Sequence, residues 1–243
     1  LFGLLSIFEL DRTCRSRADV LIDTAVFPQT AALTRLLALL AAAVLTTVLT
    51  MLVWLPVSMG LIGVVFDLVD YVLAYLLFMG LALPLGVLAA SSAYQFTRRT
   101  DLSLALFAAF CGLSLTVWVE KWQLCWLNPC VWALSDDFSN FRLFRSVAYM
   151  RLTWLAGLAG VWAVSYLCIR QYGKGAFGSL ARSIRRVYRP VIAAVLLACS
   201  GVAYVAQPMV DNSNPDQMAM TFYEMAYLDG VICTGRSAQV FPD

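Results

Sequence analysis

The chain contains no histidine. Histidine is the side chain that ordinarily changes charge near neutral pH, so His-based acid-base chemistry, Ser-His-Asp triads and His-ligated metal sites are all excluded. Charge is scarce as well. Asp, Glu, Lys and Arg make up 13% of the 243 residues, about half the usual share. The 17 basic and 15 acidic side chains leave a net charge of +2, too balanced for a nucleic-acid partner. No G-x-x-x-x-G-K-[ST] occurs, so any ATP hydrolysis belongs to another polypeptide or a part not present here. Cys14, Cys111, Cys168, Cys199 and Cys233 show no metal-ligand spacing. No catalytic, cofactor-binding or metal residue is therefore assigned, and the chain is not expected to be an enzyme.

Apolar side chains are what the sequence has in excess: 61% of residues are hydrophobic and the mean hydropathy is +0.78. A helix needs about 18 or more apolar residues to cross the roughly 30 Å bilayer core. Residues 1–8 are too short for that and read as the tail of a spanning helix from a longer chain. Five complete spans are expected: 36–57, stopping near Pro56; 68–96, kinked at Pro84; 102–119; 147–169, with Arg151 snorkelling from its first turn; and 190–207, with Pro190 in the first turn. On this reading no ionisable residue lies in the middle of a span, which argues against an ion-coupled carrier. The fold class is an all-α integral membrane protein, a polytopic helical bundle whose residues 208–243 begin an extracytoplasmic, β-rich region.

Lys and Arg set orientation. With the segment after the stub inside, the cytoplasm holds Arg12, Arg15, Arg17, Arg35, Arg98, Arg99, Arg170, Lys174, Arg182, Arg185, Arg186 and Arg189, twelve in all. Five remain outside: Lys121, Arg142, Arg145, Arg151 and Arg236. Asp67 and Asp70, at the outer end of a span, read as a helix cap, with cation binding the alternative. Gly173, Gly175 and Gly178 match G-x-G-x-x-G, but no strand precedes them, and they read as a hinge.

The cytoplasmic segment 9–35 is dense in charge. Val20, Leu21, Thr24 and Phe27 recur at helical spacing and suggest a short amphipathic element ended by Pro28, suited to docking on a partner. Glu9, Asp11, Arg12, Arg15, Arg17, Asp19, Asp23, Pro28 and Arg35, in that order, resemble the type-2 permeases of ABC transporters, most of which are exporters. In that family a span ends in Glu, a charged segment and an amphipathic coupling helix follow, and a Pro precedes the basic residue opening the next span. The resemblance implies that residues 9–35 meet an ABC ATP-binding subunit, that 1–170 form most of one six-span permease half, and that the membrane is the bacterial cytoplasmic one.

In 171–189, Phe177, Leu180, Ile184, Val187 and Tyr188 lie opposite Arg182, Arg185, Arg186 and Arg189, the pattern of a helix lying in the surface of the lipid bilayer. In the resembled family such an elbow precedes the first span of a half, which implies a second permease half as partner. Trp118, Trp122 and Trp126 are spaced as one helical stripe and suggest a membrane-interface belt, or a short re-entrant helix closing a substrate path. Cys125 and Cys130 allow a small disulfide loop on the oxidising side. The function expected is the membrane subunit of an ATP-driven exporter of hydrophobic or amphipathic substrates. The alternative is a polytopic membrane enzyme or sensor with its active extracytoplasmic domain beyond this segment.

Overall fold

Helix boundaries in this chain follow from a few residues whose backbone chemistry restricts them. The computed structural model describes residues 2–16, 26–62, 67–118, 124, 126–127, 141–169, 181 and 183–207. They form α1 (Phe2–Arg15), α2 (Pro28–Ile62), α3 (Leu68–Ala74), α4 (Ala82–Thr97), α5 (Thr100–Leu115), α6 (Phe141–Leu167) and α7 (Tyr188–Val205), with a π-helical turn, Tyr75–Gly80, joining α3 to α4. No strand occurs among the described residues, and 208–243, where the β-rich reading falls, lies outside them. Four stretches are long and apolar enough to cross a membrane: Pro28–Gly60, Leu68–Thr97, Phe144–Leu167 and Tyr188–Val205. The outward faces of α2 and α7 expose Leu45, Leu49, Val53, Val202 and Val205. Apolar faces on helices of this length suit acyl chains as solvent, so the described residues form an all-helical bundle with four candidate membrane spans.

Several sequence expectations change. The stop at Pro56 does not occur, because α2 runs through it to Ile62. Proline is tolerated within membrane helices, although Pro56 removes the N–H that would reach the Leu52 carbonyl; one residue before Leu52, the Tyr71 hydroxyl ties this turn to α3 by donating to the Met51 carbonyl at 2.8 Å. The same helix opens at Pro28 rather than near Arg35, since the fixed φ of proline suits a first helical position. Where a kink is expected at Pro84, the helix shows a π turn just upstream of it. Pro84 has no N–H for the Gly80 carbonyl, and the π turn takes up the mismatch, with the Leu81 N–H reaching back five residues to Leu76 at 3.0 Å. The expected span 102–119 is helical for only 16 residues, about 24 Å of rise. It closes through the Trp118 N–H on the Leu113 carbonyl at 2.9 Å, which folds Trp118 back toward the helix.

The helix α4 is buried on nearly every side between Pro84 and Tyr94, and α1, α2, α5 and α6 pack around it. Lipid is as apolar as leucine, so close packing has to come from small residues. Gly3 of α1 supplies it against α4: a β-carbon there would stand 3.0 Å from the Gly86 carbonyl oxygen and 2.5 Å from the Phe107 ring. The most extensive helix pair is α6 with α7. There a β-carbon on Gly157 would meet the Ser200 hydroxyl at 2.9 Å, and one on Gly160 would meet the Leu197 side chain at 2.7 Å.

Candidate functional site at the charged end of the bundle

The last two turns of α1 carry Glu9, Asp11, Arg12 and Arg15. At i, i+3 and i, i+4 spacing these charges meet on one helix face. Glu9 pairs with Arg12 at 3.4 Å, and the Arg15 Nε donates to Asp11. The Asp11 carboxylate is buried against α4 and α5, where the Tyr94 hydroxyl approaches at 3.3 Å. The Thr100 hydroxyl beside it, then Arg15 and Tyr94, hold its pKa below the ordinary carboxylate range, against burial, which pushes it up. Arg98, at φ 52°, makes the left-handed turn that lets the chain reverse between Tyr94 and Thr100 and bring both to Asp11.

Beside this cluster a cavity of about 450 Å³ opens between α1 and α2. It is lined by Phe2, Leu5, Ser6, Phe8 and Leu39 toward one end and Glu9, Asp11, Arg12 and Arg15 toward the other. The structure therefore gathers four of the nine residues singled out for coupling. Pro28 and Arg35 sit separately, as the first and eighth residues of α2, while Arg17, Asp19 and Asp23 lie outside the described residues.

The elbow expected through Arg189 is interrupted. Residues 183–185 are helical, the helix breaks at Arg186 and Val187, and α7 starts at Tyr188. Pro190 cannot donate to the Arg186 carbonyl, so the Arg189 N–H turns to it instead at 2.9 Å. Ile184 and Val187 project outward, as do Arg185 and Arg186. Arg189 does not: it donates to Gln29 and lies 5.7 Å from the centre of the Tyr166 ring. Gln29 in turn donates to the fully buried Ser183 hydroxyl at 2.9 Å. The start of α2 is thereby tied to the start of α7, a link between Gln29, Ser183 and Arg189 that no spacing in the sequence announces. Phe177, Leu180, Arg182 and the glycines of 173–178 lie outside the described residues.

At the opposite end, the tryptophans do not form one helical stripe. Trp118 stands in a turn and Trp126 outside any helix; Trp122, Cys125 and Cys130 lie outside the described residues. Trp126 is buried and stacks on Phe110 at 4.7 Å, while Trp118 and Trp154 meet the same ring edge-on at 5.8 and 5.4 Å. Arg151 overturns the snorkelling expectation. Because α6 starts at Phe141, Arg151 is in its third turn, 1% exposed, and its guanidinium donates to the Trp126 carbonyl. An ionisable residue does lie well inside a span. Asp67 is a cap, accepting from the Val69 N–H at 2.8 Å.

Among the described residues no group of His, Cys, Asp and Glu is placed to hold a metal ion. No family model, curated protein or solved structure matches the chain.

Proposed function

We propose that this chain is a membrane-spanning subunit of an ATP-driven ABC transporter of the type-2 permease kind, exporting a hydrophobic or amphipathic substrate across a bacterial cytoplasmic membrane. One observation carries the reading. The charged turns of α1 end where residues 17–25 must lead directly to Pro28 at the head of a span-length helix. The charged segment thus joins two helices that both pack on the central α4, so a force applied to it reaches the bundle core. The Gln29 link to Ser183 and Arg189 extends that path to α7, where a second permease half would begin. Closing of an ATP-binding subunit would pull on this end, and the chain itself would break no bond.

The reading requires an ATP-binding cassette protein encoded beside this chain, and the test is whether the two assemble. The Asp19→Arg, Asp23→Arg double variant should insert normally but co-purify about tenfold less with that protein, because charge reversal adds repulsion at a docking surface. Unchanged co-purification together with unchanged ATPase stimulation would rule the assignment out.

A further inference from the structure

We infer that the cavity between α1 and α2 seats an anionic phospholipid, its phosphate on Arg12 and Arg15 and one acyl chain along Phe2, Leu5, Phe8 and Leu39. The inference goes beyond coupling to an ATPase and does not depend on it. The lining divides along its length, apolar toward Phe2 and charged toward Arg15. From Phe2 to Arg12 the helix rises about 15 Å, half the thickness of the bilayer core, so the apolar stretch matches one acyl chain reaching up to its head group.

Charge complementarity selects the occupant. Arg15 uses only its Nε on Asp11, leaving both terminal amino groups without a partner among the described residues, and its side chain is 71% exposed. A guanidinium presented this way is a fork for a phosphate. The Asp11 carboxylate, only 12% exposed, is covered by Arg15, Tyr94 and Thr100 and repels little at the mouth. Glu9 is offset by Arg12. The accessible charge is therefore that of two arginines against one glutamate. That balance favours a net-negative head group over a zwitterionic one, whose cation would face the arginines. The C-terminus of α1 by itself repels an anion, so the attraction has to come from these side chains.

The intact protein, reconstituted in phosphatidylcholine nanodiscs with a trace of phosphatidylglycerol bearing a photoreactive acyl chain, tests this directly. Crosslinks should map to Leu5, Phe8 and Leu39, and unlabelled phosphatidylglycerol should compete them away while millimolar inorganic phosphate does not. Arg12→Ala with Arg15→Ala should cut the yield about tenfold. Leu39→Trp fills the apolar end without altering a charge and should cut it comparably, so a folding defect at Asp11 cannot mimic the result. Crosslinks distributed over the outward faces of α2 and α7 and unchanged in both variants would overturn the inference, as would displacement by inorganic phosphate alone.

Discussion

Asp11 sits between two requirements: a carboxylate taken largely out of water, and three donors arranged to keep it charged. Because its folded pKa is depressed, its contribution to stability is present above the unfolded carboxylate value and disappears as pH falls through the folded one. Asp11→Asn should therefore cost on the order of 1 kcal/mol at neutral pH, discounted for the exposure of Arg15. The variant and the parent should converge in strongly acidic detergent solution, as followed by thermal unfolding. A gap that persists at low pH would mean the amide lost packing rather than charge. The sequence marked Asp11 as part of a charged run but not Tyr94 or Thr100, since it is the left-handed Arg98 that turns those two side chains toward it. The position of Arg151 is hidden for a related reason. Phe141 to Ser146 mixes arginines with aromatic residues and lowers the apparent hydropathy, so the sequence alone suggests a helix six residues shorter with its buried arginine near the end.

At the level of elements, the existence of the helices was legible and their ends were not. Apolar runs as long as a bilayer is thick leave little else to form, but termini depend on which backbone groups find donors, and prolines decide that case by case. Pro28 begins a helix, Pro56 is passed through, and Pro190 forces a restart two residues before itself. Close helix contacts were equally hidden, because a glycine in a span has no signature until its neighbour is known. Gly160→Ala places a methyl 3.2 Å from the Leu197 backbone nitrogen as well as 2.7 Å from its side chain, and backbone cannot swing aside. It should loosen the α6–α7 pair by about 1–3 kcal/mol. Gly201→Ala meets nothing within 4 Å and should be neutral or stabilising through helix propensity. Comparing the two by thermal unfolding in detergent separates packing from propensity, and equal behaviour would refute close packing at Gly160.

Across the whole molecule, side-chain contacts sort the helix ends into two groups. One end joins Asp11 to Tyr94, Gln95 to Ser165, Gln29 to Ser183 and Arg189 to Tyr166. The other joins Tyr71 to Met51, Trp126 to Phe110, Arg151 to Trp126 and Gln207 to Thr153. Arg12, Arg15, Arg35, Arg98, Arg99, Arg185, Arg186 and Arg189 belong with the first group, and of the described basic residues only Arg142, Arg145 and Arg151 belong with the second. Counting Lys and Arg in connecting segments assumes that segments assigned to one side really share it. Here the grouping rests on which helix ends touch, including the neutral pairs Gln95 with Ser165, Gln29 with Ser183, Tyr71 with Met51 and Gln207 with Thr153, and the short α5 does not upset it. The arginine-rich end should therefore face the cytoplasm. On a background with the cysteines replaced, a membrane-impermeant thiol reagent applied to intact cells should label Ser213→Cys and miss Ser16→Cys until the membrane is opened. Labelling of Ser16→Cys alone in intact cells would invert the molecule, and with it the side from which any ATP-binding subunit could reach residues 9–35.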